Sequence, residues 1–460
     1  VKGESDAGPL PPPWSEAAVR EALGLPGSGD GRTFSTISTD TRAIVPGALF
    51  VALRGERFDA HDFLPDAARA GAAAAVVREG TPPVAGLGLL EVHDPLLAFG
   101  RLARARRRRL PGPVVAITGT NGKTSTKEML AAVLGTRYVT HATRANLNNL
   151  VGVPLTILEA PENTEAMVVE AGANLPGEIA RYREMIEPRI VLVTNAVAGH
   201  LEGFRSLTGV IEEKLALTEG VDLAIVGTDP PELADGARRR ARRVRTAGLS
   251  GADLVPDSVE LGPEARPVLT FGSVTFTLAA RGLHQADNAA RVWAVVEELG
   301  LDREASARAL ERFSLPGGRG ELLQVGGLTI LNDCYNANPQ SFRAAMATAR
   351  ALRARRPLVF VAGTMRELGD DSASLHAEVA RELVELGPDL LAAVGDFVPA
   401  LEQHGAKLGD RLLTAVDPPA LAPLLAARLR GDEVVVLKAS RGMALERILP
   451  ALTARANSLG

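Results

Sequence analysis

Along the chain, short apolar runs alternate with longer amphipathic stretches. Runs at residues 45–53, 73–77, 114–117, 167–169, 190–195, 223–226, 328–331, 358–362, 391–394 and 434–437 read as buried strands, with a short strand candidate at 33–37. Helical spacing of apolar positions predicts helices over 14–25, 64–70, 96–110, 126–134, 207–217, 289–298, 303–313, 340–353 and 374–386. Residues 267–279 alternate like a β-hairpin, and the charged stretch 229–265 reads as irregular. No internal repeat is visible beyond this alternation. Strand alternating with helix implies parallel sheets covered on both faces, so the fold class is α/β. Three domains are expected: a small N-terminal α/β domain over 1–94, a central doubly wound sheet over 95–315, and a C-terminal Rossmann-like sheet over 316–460. Residues 1–13, rich in Gly and Pro and opening on Val1, read as a disordered lead, and residues 315–320 as a linker.

Composition changes this picture little. The chain has 460 residues, 46% of them hydrophobic, enough for several cores. Its 51 Lys and Arg against 55 Asp and Glu give a net charge of −4, which does not point to a nucleic-acid partner. The basic run Arg106-Arg107-Arg108-Arg109 reads as a solvated helix end. The single cysteine, Cys334, excludes an internal disulfide and suits a reducing cytoplasm. No apolar run is long enough for a membrane span, and the N-terminus lacks the apolar segment of a signal peptide.

The sharpest chemical signal follows the run at 114–117. It reads Thr118-Gly119-Thr120-Asn121-Gly122-Lys123-Thr124-Ser125, a glycine-punctuated loop between a strand and a helix. Such a loop offers backbone N–H groups and a helix N-terminus to an anion. Lys123 would reach the β- and γ-phosphates of a nucleotide, and the Thr124 hydroxyl would bind Mg²⁺. The full eight-residue pattern wants glycine at position 117, where this chain has Ile117, so the context of the motif carries the reading.

Other polar groups sit where successive strands end. Asn146, Asn148 and Asn149 lie in one polar loop, read as ligand-binding amides or as an ordinary turn. Glu170 directly follows the run at 167–169, at the strand end where open α/β sheets bind ligands. His200 follows the run at 190–195, and Lys214 lies on the helix 207–217 beside Glu212 and Glu213, where an ordinary lysine would face water.

Taken in this order, the motifs resemble the Mur ligases, which build the peptide of bacterial peptidoglycan. The resemblance covers nearly the whole chain from Trp14 and rests on residues 119–124, Asn146-Leu147-Asn148-Asn149 with Gly152-Val153-Pro154, Glu170 with Gly172, Asn195, and His200 followed by Lys214. Within the family, Asn332-Asp333-Cys334-Tyr335-Asn336-Ala337-Asn338-Pro339, residues 200–204, 365–369 and 440–443, and the N-terminal stretch 50–63 are similar to the branch that adds D-alanyl-D-alanine. Ala60 and Thr364 depart from the family's usual glycine and aspartate.

The resemblance implies UDP-N-acetylmuramoyl-tripeptide and D-alanyl-D-alanine as substrates, ATP as the energy source and two Mg²⁺ ions. The N-terminal, central and C-terminal domains would bind the UDP-sugar, ATP and the amino substrate. Lys123, Glu170, His200 and Lys214 would be the catalytic set, with Thr124 and Glu170 on one Mg²⁺ and His200 and a carbamylated Lys214 on the second. Thr118, Gly119, Thr120, Asn121, Gly122, Lys123, Thr124, Ser125, Asn288, Arg319 and Asp333 would bind or border the nucleotide. Thr41, Arg42 and the asparagine run would contact the UDP-sugar, and Asn336, Ser440 and Arg441 the dipeptide. A cytoplasmic monomer is expected, without nucleic-acid or stable membrane partners. The third residue of the tripeptide stays open between lysine and diaminopimelate. Two rival readings also stay open: another ligase of the family or a folylpolyglutamate synthase, and a nucleotide switch without acyl chemistry, although no Asn-Lys-x-Asp guanine signature is present.

Overall fold

The computed structural model describes residues 13–55, 57–197, 201–204 and 206–459. It is a three-domain α/β protein whose described residues pack into two compact units. The first comprises Val1–Thr118, Arg137–Ala173 and Gly177–Val191, and the second Gly119–Thr136, Asn174–Pro176 and Leu192–Gly460.

The first unit holds a parallel four-stranded sheet in the order Ile37–Ser38, Leu49–Val51, Ala74–Arg78, Gly88–Val92. The helix expected over 14–25 is shorter. Trp14–Ser15 pairs antiparallel with Thr33–Phe34, Ser15 caps the helix Glu16–Leu23, and Gly24 ends it in the left-handed region. Glu16 is buried, and its carboxylate holds Arg20 at 3.1 Å and Arg32 at 2.9 Å. Three further parallel strands, Val114–Thr118, Ala166–Glu170 and Thr140–Ala142, lie side by side in that order. Val114–Thr118 and Ala166–Glu170 are buried throughout, which explains their unbroken apolar runs.

The arginine run at the end of helix Pro95–Arg107 is solvated only in part: Arg108 and Arg109 are exposed, whereas Arg106 and Arg107 turn into the fold. Arg106 is buried and donates to the carbonyls of Ala160 and Pro161, both at 3.0 Å. Arg107 donates to the carbonyls of Ile186 (2.7 Å) and Glu187 (2.9 Å), which terminate the helix Glu178–Ile186. Arg104 and Arg108 converge on the Glu187 carboxylate, and Arg109 lies 4.6 Å over the Trp14 ring. The cations satisfy a helix C-terminus and stack on an aromatic ring.

In the second unit the helix expected from residue 126 starts at Lys123, directly after the phosphate-loop motif. The helix expected from 289 starts at Leu283, which puts Asn288 inside it. The stretch 229–265 is not irregular: it holds the helix Pro231–Arg238 and the strands Val244–Thr246 and Ser258–Leu261. Val244–Thr246 runs parallel to Leu223–Val226. Ser258–Leu261, Pro267–Phe271 and Val274–Thr277 form an antiparallel sheet. Phe271 and Phe276 from that sheet stack on the fully buried Trp293 at 4.9 and 5.3 Å.

The C-terminal sheet runs Glu321–Val325, Leu328–Asp333, Val434–Lys438, Leu358–Ala362, Leu390–Val394, Leu412–Ala415, parallel except for its first, antiparallel edge strand. Helices Pro339–Arg353 and Ser372–Leu386 cover one face, and Pro418–Arg428 and Leu449–Leu459 the other. Among the described residues no helix is long and apolar enough to cross a membrane.

Candidate active site

The loop after strand Val114–Thr118 is held from several sides within the second unit. Gly119 has φ +144°, and a Cβ there would lie 2.0 Å from the Thr194 hydroxyl. Thr120 N–H donates to the Asn195 carbonyl at 3.0 Å, and Asn121 N–H to Asn195 Oδ1 at 2.9 Å. Thr194 Oγ1 donates to the Asn121 carbonyl at 2.6 Å. These bonds leave the first turn of helix Lys123–Leu134 to face an anion. The Lys123 ammonium donates to the carbonyls of Gly119 (2.8 Å) and Thr120 (3.0 Å), on the loop itself. Thr124 and Ser125 are buried in the helix's first turn.

Helix Leu283–Glu298 braces the same loop. Gly122 has φ +79°, and a Cβ there would lie 2.7 Å from Asn288 Nδ2. Asn288 donates to Gln285 Oε1 at 3.3 Å, and Gln285 Nε2 to Ser125 Oγ at 3.2 Å. The Asn121 side chain meets the start of helix Pro339–Arg353: its Nδ2 donates to Gln340 Oε1 (2.7 Å) and Asn338 Oδ1 (3.3 Å), and Asn338 Nδ2 donates back to Asn121 Oδ1 at 2.7 Å.

A second cluster forms where the C-terminal strands end. Asp333 accepts from Lys438 Nζ at 2.6 Å, and the Asn336 carbonyl from the same ammonium at 2.7 Å. Two cations approach the Tyr335 ring, Arg319 at 3.6 Å and Arg441 at 5.1 Å from its centre. The buried Ser440 hydroxyl accepts from Arg366 N–H at 3.0 Å. His376 Nε2 accepts from Met365 N–H at 2.9 Å while Nδ1 donates to the Ser372 carbonyl at 2.7 Å, which fixes the neutral tautomer, and burial keeps its pKa below the usual imidazole range. Thr364 accepts from Asp396 N–H at 2.9 Å, so this departure from the family pattern serves a turn. Burial pushes the Cys334 thiol far above its ordinary range, so it is no nucleophile.

In the first unit Glu170 is buried at the end of its strand and accepts from Asn148 Nδ2 at 2.8 Å. Its N–H donates to Thr143 Oγ1 at 3.0 Å. The three asparagines do different things. Asn148 orients Glu170, Asn149 Oδ1 accepts from the N–H groups of Val151 and Gly152 at the start of helix Gly152–Leu158, and Asn146 is exposed. Arg42 is exposed beside Thr41 and pairs with Asp40 at 2.7 Å, and its guanidinium holds the Asp40 carboxyl at about 2.

Lys214 is fully buried, with Nζ 5.5 Å from the Phe204 ring centre, so it is not the solvated lysine its acidic neighbours suggest. His200 lies outside the described residues. Among the described residues no three His, Cys, Asp or Glu side chains gather as a metal centre. The buried Thr124 hydroxyl in the second unit and the buried Glu170 carboxylate in the first are each a hard oxygen donor of the kind Mg²⁺ prefers.

Residues not among the candidates read from the sequence also touch the loop: Thr194, Gln285, Asn338 and Gln340. Lys438 likewise joins the C-terminal cluster, and its signal was local, a lysine closing the apolar strand Val434–Lys438.

A phosphate loop of this build, between a buried parallel strand and a helix, is that of a nucleotide-binding α/β protein. Family models match in all three regions: the Mur ligase family catalytic domain over residues 33–107, the Mur ligase middle domain over 117–296, and the Mur ligase glutamate ligase domain over 318–441. The chain belongs to the Mur ligase family and, with it, to the ATP-dependent ligases that form amide bonds. The UDP-N-acetylmuramoyl-tripeptide–D-alanyl-D-alanine ligase of Escherichia coli is 36% identical over 434 residues, 91% of this chain and 94% of the relative. A crystal structure of MurF from Acinetobacter baumannii superposes with a TM-score of 0.86 at 29% identity, covering 97% of this chain and all (100%) of the other. MurF ligase from Thermotoga maritima, solved in complex with ADP, gives 0.81 at 27% identity over 92% and 98%.

Proposed function

We propose that this chain joins D-alanyl-D-alanine to UDP-N-acetylmuramoyl-tripeptide at the expense of ATP, as a cytoplasmic monomer in peptidoglycan precursor synthesis. The observation that carries the reading is the braced phosphate loop, Gly119 to Thr124, in a chain that matches a ligase of that name over nine tenths of its length. The tripeptide's terminal carboxylate attacks the γ-phosphorus of ATP, ADP leaves, and an acyl phosphate forms. The dipeptide amine, once it has lost a proton, attacks the acyl carbon, and inorganic phosphate leaves as the amide forms.

The chain's own groups divide this work. The N–H groups at the start of helix Lys123–Leu134 hold the β-phosphate. Lys123 exchanges its bonds to the loop carbonyls for the β- and γ-phosphates, so a positive charge is already in place when charge develops on the transferring group. Thr124 and Glu170 would hold one Mg²⁺, and His200 with a carbamylated Lys214 the second; bound Mg²⁺ neutralises charge on the phosphoryl oxygens. Asn148 keeps the Glu170 carboxylate oriented. Thr41, Arg42, Asn146 and Asn149 contact the UDP-sugar. Asn288 and Arg319 contact the nucleotide beside Asp333. Asn336, Ser440 and Arg441 meet the dipeptide.

Phosphate release from ATP tests the reading. It should require both the UDP-tripeptide and the dipeptide, and a panel of tripeptides ending in lysine or diaminopimelate should identify the accepted third residue. Hydrolysis that ignores the dipeptide would support a nucleotide switch instead. The carbamate has its own test. Carbamylation joins a neutral lysine amine to CO₂ with loss of a proton and puts one negative charge, shared by two oxygens, where the ammonium was. Lys214→Ala should therefore be nearly inactive and partly rescued by a short carboxylic acid, whereas Lys214→Arg should not be rescued. Full activity of Lys214→Ala in CO₂-depleted buffer would remove the carbamate from the mechanism.

A further inference from the structure

Asn121 does two jobs on the phosphate loop. Its backbone is fixed by Thr194 and Asn195, while its side chain is spent on residues more than 200 positions later in the chain. Asn338 returns the contact through its own amide, so the two side chains form a reciprocal pair, and Gln340 adds a third bond. Asn338 also caps helix Pro339–Arg353: its Oδ1 accepts from Ser341 N–H at 2.9 Å, and Ser341 Oγ lies 2.9 Å from Asn338 N. The residues just before it, Asp333 to Asn336, are pinned by Lys438, and Tyr335 N–H donates to the Gly318 carbonyl at 3.0 Å.

We infer that the Asn121–Asn338 pair positions the amine-binding segment 333–338 against the phosphate loop. The inference rests on the ligase reading above. Two substrates must meet: an acyl phosphate made at the loop and an amine delivered by the C-terminal segment. Binding each is not enough, because a displacement of about 1 Å between reacting groups costs on the order of 100-fold in rate. Two amides in reciprocal contact fix distance and orientation together, and they do so without adding a charge beside a polyphosphate. An aspartate at either position would set a carboxylate against its partner's carbonyl oxygen or against the nucleotide. A serine would be too short to reach. Asn121 and Asn338 are thus positioning residues, acting on the second half-reaction through the segment they hold.

The test separates the two half-reactions. Asn338→Ser keeps a side chain that caps helices as well as asparagine does, and loses the reach to Asn121. Acyl phosphate formation is followed by positional isotope exchange in ATP with the UDP-tripeptide alone, and transfer by amide formation with D-alanyl-D-alanine. Exchange should stay within about threefold of wild type while ligation falls about 10- to 100-fold with a raised KM for the dipeptide. In a double-mutant cycle, Asn121→Ser with Asn338→Ser should cost no more than the larger single loss. Should Asn338→Ser fail to fold, Gln340→Ala leaves the cap untouched, removes the third bond to Asn121 and should show a smaller split in the same direction. Equal slowing of both half-reactions, additive losses, or ligation at the wild-type rate overturns the inference. Wild-type protein that neither exchanges nor ligates refutes the ligase reading and this inference with it. Wild-type protein that ligates beside an unimpaired Asn338→Ser refutes this inference alone.

Discussion

Gly122→Ala puts the phosphate loop to a quantitative test. The residue has φ +79°, and a Cβ there would lie 2.7 Å from Asn288 Nδ2 and 2.9 Å from Asn288 Oδ1. An L-residue in the left-handed region costs about 1–2 kcal/mol. Asn288 is buried, as is Gln285, so the amide cannot step aside without losing its bond to Gln285 Oε1, and a buried polar group left without a partner costs about 1–3 kcal/mol. Taking the lower part of each range, the substitution loads roughly 2–4 kcal/mol onto the loop. That energy has two outlets. If the loop keeps its conformation, the whole amount appears as lost stability in denaturant melts. If the loop relaxes by leaving its conformation, stability is kept and the nucleotide must restore the loop on binding, which weakens its affinity by up to roughly 30- to 900-fold. The two losses should therefore sum to the same 2–4 kcal/mol, measured by equilibrium unfolding and by calorimetric titration with a non-hydrolysable ATP analogue. A variant with wild-type stability and wild-type nucleotide affinity would refute the strain argument and the assignment of this loop as the phosphate cradle.

Lys123→Ala should unfold like wild type but lose about 1,000-fold in turnover, because the transferring phosphoryl group loses its positive partner; phosphate release by the purified variant measures this. The Arg32 guanidinium holds the Glu16 carboxyl at about 2 against an ordinary 4.5, so the stability it contributes is complete above pH 4.5 and disappears as pH falls through 2. The difference in melting temperature between wild type and Glu16→Gln should accordingly shrink across that window, and a constant difference would contradict the linkage. Arg107→Ala should destabilise the first unit by about 2–3 kcal/mol in urea, since a charged donor to two helix-terminal carbonyls is lost, while Arg107→Lys should recover only part of it.

What was legible in the sequence follows the range over which each signal acts. The phosphate loop could be read because its glycines, its lysine and the flanking apolar strand lie within a dozen residues. The central strands could be read because both their faces are buried. The strand Glu321–Val325 escaped notice because it is an edge strand, half-exposed, with a glutamate and a glutamine among its five residues. Helix Pro418–Arg428 opens on two prolines and contains a third, Pro423, so its sequence looks like a loop; Asp417 supplies the cap that makes it a helix. In helix Pro231–Arg238 the neighbouring arginines hid the apolar face of Leu233, Ala234 and Ala237. The arginine run at 106–109 reads as surface charge until its carbonyl partners at 160–161 and 186–187 are known. The contact between Asn121 and Asn338 has no local signal at all, since either asparagine taken alone is an ordinary loop or cap residue.

The chemistry of the groups around the loop has a common physical cause. Asn195, Thr194, Asn288, Gln285, Asn338 and Gln340 brace it or its helix, and all are neutral. A polyphosphate brings several negative charges into this space. Carboxylates bracing the loop would repel it, and additional fixed cations would compete with Lys123 and with a metal ion for the same oxygens. Neutral amides and hydroxyls fix the backbone through short, directional bonds and leave the field to Lys123, the helix N-terminus and the ion that accompanies the nucleotide. Farther along, at the C-terminal strand ends, the design changes. Lys438 is buried and pairs with a partly exposed Asp333, and two arginines approach the Tyr335 ring. The Asp333–Lys438 charge is matched within the protein, so that pair can hold its segment in place without demanding a counter-ion from the substrate. The division places rigid neutral bracing where charge arrives with the ligand, and paired charge where the chain must stay put whether or not a ligand is bound.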